Sequence, residues 1–148
     1  MDFVDPFAQD RPIGQVNAFV LADPVELVLQ MPISAVVTEL VDVVGRTCVK
    51  ALAGISDRKL VAAWMSGGAG MQPRRDRAVR LALQTARVLM QRYDATTVQS
   101  WLAGQNPRLE RRSAGAMIRE IAIGGLSDDQ VEQDAKAILD AAHASMVS

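Results

Sequence analysis

Arg58 and Lys59 stand side by side in "SDRKLVAAWMSG", residues 56–67, and their types suit contact with DNA. Either side chain can donate to the O6 and N7 atoms of a guanine in the major groove. Ala62 and Ala63 follow one turn later. Their small side chains let the backbone come close to a groove, and an alanine methyl can touch a thymine methyl. Arg74 and Arg75, in "QPRRDRAVR", add cations suited to phosphates, which position a protein on DNA but carry no base information. Covalent chemistry has less to work with. Cys48 and His143 are the single cysteine and the single histidine, so neither a disulfide framework nor a Cys/His metal cluster forms within one chain. Cys48 reads as a small core residue and His143 as a solvated one. There is no glycine-rich phosphate loop after a strand and no carboxylate pair with catalytic spacing. Asp128, Asp129 and Glu132 crowd the first turn of a helix, where carboxylates favour the dipole. The expectation is a protein that is not an enzyme and uses no metal or cofactor.

A helix must present these cations. Leu60, Val61, Trp64 and Met65 share one face of the stretch, and Arg58, Lys59, Ala62 and Ala63 share the other. Gly67 lies where a C-terminal cap belongs, and either Ser56 or Asp57 serves as N-cap. Just before it, "RTCVKALA" reads as a shorter helix closed by Gly54. Ile33, Val36, Val37, Leu40, Val41 and Val44 mark a longer one ending at Gly45. Two short helices joined at Gly54 make a helix-turn-helix arrangement, in which the second enters the major groove. A tight helical bundle produces the same spacings.

Charge is segregated along the chain, although the net value is only −1. Residues 1–45 hold one Arg against seven acids, residues 46–119 fourteen Lys and Arg against four acids, and residues 120–148 one Lys against six acids. Two readings are open. The basic middle meets something anionic, or it pairs with its acidic flanks inside the fold. Arg74, Arg77, Arg80 and Arg87 sharpen the same question, because they fall near one face of "RRDRAVRLALQTARVLMQRY". The opposite stripe, Val79, Ala82, Leu83, Ala86, Leu89, Met90 and Tyr93, reads as core.

Helical periods run through the chain, with no sustained alternation of the kind strands require, so the fold class is all-α. Residues 1–20 carry two prolines and a glycine without helical period and are expected to form a mobile arm. "DPVELVLQ" starts a short helix with Asp23 as N-cap, Pro24 at the first helical position and Glu26 in a capping box. Residues 21–93 then form the helix-turn-helix half and residues 94–148 a second helical module. In that module Asp94 caps "ATTVQSWLA", Asn106-Pro107 forces an extended turn, and Ser113 caps "AGAMIREIAI". Ser127 and Gln130 box the last helix, whose stripe is Val131, Ala135, Ile138, Leu139, Ala142 and Met146. Trp101 reads as an anchor of this module's own core. Aspartates, glutamates and prolines interrupt every apolar run, so no membrane span is expected, and the acidic start "MDFVDPFAQD" lacks the basic segment of a secretory signal. A soluble, cytoplasmic location follows.

The segment "DATTVQSWLAGQNPRLERRSAGAMIRE", residues 94–120, resembles the toxin-binding segment of the Xre/MbcA/ParS-type antitoxins. The matching residues are Trp101 and Leu102, Asn106-Pro107 with Leu109, and Arg112-Ser113 opening a helix with Met117, Ile118 and Arg119. "VAAWMSG" followed by Pro73 is similar to the family's helix-turn-helix, and the likeness runs over about residues 33–145. After Leu109 the family carries small residues where this chain has Glu110 and Arg111. The resemblance implies a partner, a RES-domain toxin that consumes NAD and whose active-site entrance the antitoxin's carboxyl-terminal module covers. It implies toxin contact through Asn106, Pro107, Arg108, Arg111, Arg112 and Arg119. It also implies a homodimer that binds duplex operator DNA and represses its own operon. The alternative is a helix-turn-helix transcriptional regulator, including one encoded by a phage, with no toxin partner. A further alternative is an adaptor bundle that binds neither.

Overall fold

A computed structural model of the chain describes residues 23–147. The expected arm at residues 1–20 lies outside the described residues. Among the described residues, eight α-helices follow one another: α1 (Pro24–Leu27), α2 (Ile33–Val44), α3 (Arg46–Leu52), α4 (Arg58–Ser66), α5 (Pro73–Met90), α6 (Ala95–Ala103), α7 (Ala114–Ile123) and α8 (Asp128–Val147). The all-α class holds. Three small departures accompany it. The first helix is a single α turn continued by a 3₁₀ turn, Val28–Gln30. Asn106-Pro107 opens a second 3₁₀ turn, Pro107–Leu109. Around that turn, β1 (Gln105–Asn106) pairs antiparallel with β2 (Arg112–Ser113). Period-two alternation cannot reveal strands of two residues.

Local chemistry accounts for the helix ends. The Asp57 carboxylate accepts from the Lys59 amide at 2.9 Å, which makes Asp57, not Ser56, the cap of α4. Asp94, Ser113 and Ser127 each accept from the amide three residues on, as their spacing predicts. Gln130 completes only half of its box, because its side chain donates to Asp134. Gly67 takes a left-handed conformation (φ 79°) and closes α4, while Gly68 donates to the Ala63 carbonyl at 2.7 Å.

α5 is the axis of the fold. Ala78, Val79, Leu81, Ala82, Leu83, Gln84, Thr85, Ala86, Val88 and Leu89 are all buried, so the helix is enclosed on every side over the six residues from Leu81 to Ala86. The expected single stripe is too narrow a description, and Met90, expected in it, is exposed. α7 packs on α5 most extensively, followed by α8, α2 and α1. The expected separation into residues 21–93 and 94–148 therefore does not extend to the core. One hydrophobic cluster runs from Val25 through Leu83 and Ile118 to Ala142. The physical reason is area, since α6 to α8 hold too few apolar side chains to enclose one another and complete their burial on α5. Trp101, assigned to a separate small core, is half-buried and donates from Nε1 to Ser145 Oγ at 2.9 Å. None of the described helices is long and apolar enough to cross a membrane.

Candidate nucleic-acid interface

α3 and α4 rest on the bundle through a few large side chains. Val49 and Leu52 bury one face of α3, and Val61 and Trp64 bury one face of α4. Trp64 is 1% exposed, and its indole N–H reaches the Gly70 carbonyl at 3.1 Å, which also fixes the loop beyond the helix. With that face inward, Arg58, Lys59 and Ala62 stand exposed and Ala63 is half-buried. Gly54, at φ 68°, turns the chain between the two helices. A side chain there would meet Ile123 Cγ1 at 2.9 Å, so the turn needs glycine for both its backbone and its surroundings.

A cleft of about 400 Å³ opens between the two helices, lined by Arg46, Thr47, Arg58, Lys59, Val61 and Ala62. No carboxylate lines it. Arg46 occupies the first position of α3, and Arg58 and Lys59 the first two of α4. At α3, whose N-cap is Gly45, Arg46 faces the positive end of the helix dipole, unfavourable by about 0.3–1 kcal/mol, whereas at α4 the Asp57 carboxylate offsets it. A bound anion relieves the repulsion at Arg46. Arg46 and Thr47 were missed in reading the sequence. The signal was present, since an arginine opening a helix with no acid beside it is misplaced for stability.

Arg74 and Arg75 do not join this cleft. Arg74 Nε donates to the carbonyls of Ala122 (3.2 Å) and Ile123 (2.9 Å), capping the end of α7. Arg75 Nε donates to the Ala53 carbonyl at 2.8 Å, where α3 ends. The other arginines of α5 are engaged too. Arg77 pairs with Glu132 on α8, and Arg80 bridges Asp76 with the carbonyls of Val28 and Met31. Arg87 grips both carboxylate oxygens of Glu39 at 2.6 and 2.7 Å and donates to the Pro24 carbonyl. Glu39 holds the Arg87 guanidinium in its charged form, raising its pKa further. The α5 arginines thus pair with the acidic flanks and with helix ends. By contrast, Arg46, Lys50, Arg58 and Lys59 make no side-chain hydrogen bond or ion pair with the described residues.

The six residues that the resemblance assigns to toxin contact fall into four groups. Asn106 Oδ1 accepts from the Arg108 amide at 2.9 Å and holds the 3₁₀ turn that Pro107 begins, while Leu109 is buried beneath it. Arg112 pairs with Glu120. Arg108 and Arg111 stand exposed on the loop. Glu110 and Arg111 both lie in the left-handed region, at φ 57° and 67°. These are the two positions where the resemblance implies a glycine pair or a small residue, and the backbone explains why glycine suits them. Arg119 is elsewhere. It faces α3, lining a mostly apolar cleft of about 230 Å³ with Cys48, Ala51, Leu52, Leu102 and Ala116. Burial raises the Cys48 pKa, which keeps the thiol protonated and a poor nucleophile. His143 is exposed, as expected. No cluster of three potential metal ligands occurs among the described residues.

Comparison of the chain with protein-family models, with curated proteins and with solved structures finds no match.

Proposed function

We propose that this chain is an antitoxin-like protein that binds duplex DNA through α3 and α4, acting as a helix-turn-helix. One observation carries the DNA reading. Arg46, Arg58 and Lys59 line the cleft between these helices with no carboxylate among its lining residues, and none of the three has an ion-pair partner among the described residues. Arg58 and Lys59 reach base edges, and Arg46 with Thr47 takes a flanking phosphate. The toxin reading rests on the sequence resemblance. A RES-type toxin docks on the exposed loop at Arg108 and Arg111 and is obstructed there, and a homodimer represses the operon that encodes both.

Gel shifts on the DNA upstream of the protein's own gene test the first part. The double substitution Arg58→Ala, Lys59→Ala should cost several kcal/mol of specific binding, at about 1–3 kcal/mol for each good base contact. Unchanged affinity would remove α4 as the reader. Co-expression of the full chain with a RES-domain toxin tests the second part. Wild type should restore growth, and Arg108→Glu, Arg111→Glu should not. A second reading, a regulator without a toxin partner, gains support from the internal roles of Asn106 and Arg112, which leave only two of the six residues free on that loop. Full rescue by the double glutamate variant would favour it.

A further inference from the structure

Arg119 is a free cation that this DNA reading leaves unexplained. It belongs to α7, in the half of the chain whose resemblance concerns toxins, yet its side chain turns towards α3. Its Cγ would lie 3.8 Å from a side chain added at Gly54, in the turn between α3 and α4. Arg119 is exposed and makes no hydrogen bond or ion pair with the described residues. Glu120, its neighbour in sequence, is held by Arg112 and is not among the residues lining the cleft beside Arg119.

Seen from α3, free cations therefore flank both sides of one short helix. Arg46, Arg58 and Lys59 line the cleft on one side and Arg119 lines the cleft on the other, and neither cleft contains a carboxylate. An α-helix with its side chains is about 10–12 Å across, close to the ~12 Å width of the major groove, whose two edges are rows of phosphates. Resting on the proposed DNA-binding role of α3 and α4, we infer that Arg119 is a phosphate contact on this same surface, not a toxin contact. The carboxyl-terminal half then adds a backbone anchor to the DNA-binding helices. The occupant is duplex DNA, because its paired phosphate rows match Arg46 and Arg119 on the two sides of α3. The loop cations Arg108 and Arg111 line neither cleft.

The test uses the full chain and a mixed-sequence duplex of about two turns (~20 bp). Binding is followed by fluorescence anisotropy from about 50 to 200 mM salt. Variants are Arg119→Ala, Arg119→Lys and Arg58→Ala/Lys59→Ala, each checked for native helicity and melting. Removing one phosphate contact should weaken binding roughly three- to tenfold and lower the salt slope by about one, and lysine should restore the slope. An Arg119→Ala variant that binds like wild type, while Arg58→Ala/Lys59→Ala is impaired, overturns this inference and leaves the DNA reading standing. A loss that lysine does not restore also overturns it, because the role would then be shape and not charge. Wild-type protein that ignores the duplex removes the DNA reading and Arg119's role together.

Discussion

On α5, Arg74, Arg75, Arg77, Arg80 and Arg87 direct guanidinium donors at carbonyls and carboxylates of other elements, whereas Arg46, Arg58 and Lys59 on α3 and α4 meet none. Both sets come from the same basic stretch. The difference lies in what surrounds each helix. α5 runs through the middle of the bundle, so a long side chain at its margin reaches the ends of α1, α3 and α7 and the acids of α2 and α8. α3 and α4 lie at the periphery with only one face covered. Cations at the margin of an enclosed helix become cross-links. Those on a peripheral helix stay available to a ligand.

Arg87→Ala should show the largest effect. It removes a two-pronged ion pair and a hydrogen bond to Pro24, and leaves Glu39 without its partner. A loss of about 2–3 kcal/mol is expected, since hydrogen bonds to charged groups contribute about 1.5–3 kcal/mol and both ends here are partly shielded. Thermal melting should fall by roughly 5–10 °C at this chain length. Arg58→Ala should stay within about 0.5 kcal/mol of wild type. Equal losses at the two positions would break the distinction between cross-linking and free cations.

A change of opposite sign is expected at the loop. Glu110 and Arg111 hold left-handed backbone conformations that glycine adopts without a Cβ penalty. Glu110→Gly and Arg111→Gly should each stabilise by about 0.5–1 kcal/mol, the relief of strain less the entropy that glycine adds to the unfolded chain. Denaturant titration would measure this. Removing a free cation would thus strengthen the fold, where removing Arg87 weakens it. Destabilisation by either glycine would show that the Glu110 or Arg111 side chain contributes more to the fold than its exposed position indicates.

The smallest effect concerns Asp94, whose carboxylate accepts from the Thr97 amide at the start of α6. That hydrogen bond lowers its pKa from the ordinary 3.8. A depressed carboxyl value means that the contribution to stability is complete above pH 3.8 and disappears as the pH falls through the lower, folded-state value. Asp94→Asn keeps a capping side chain but no charge. The melting temperatures of wild type and Asp94→Asn should differ slightly at neutral pH, and the advantage of aspartate should vanish at the acidic end. A difference independent of pH would show that the charge contributes nothing to the cap.

Much of the fold was legible because its signals are local. Asp23, Asp94, Ser113 and Ser127 cap the helices their spacing announces, and Gly67 ends α4 where a left-handed residue is needed. Between Ser56 and Asp57, by contrast, the sequence offered two equivalent donor-facing oxygens, and only the path of the turn selected Asp57. The hairpin at Gln105–Ser113 was hidden because two-residue strands carry no period.

By itself the sequence determined the helices, their caps and the segregation of charge, since these follow from residues within a turn or two of one another. The tertiary structure decided which cations are engaged. Arg74 and Arg58 read alike in the chain, but the end of α7 comes within 3.2 Å of Arg74, while Arg58 lies beside an acid-free cleft. It also turned Arg119 towards α3 and joined the two halves through α5. The reason is physical: a charge acquires its role from groups that are distant in sequence and near in space, and only packing brings those together.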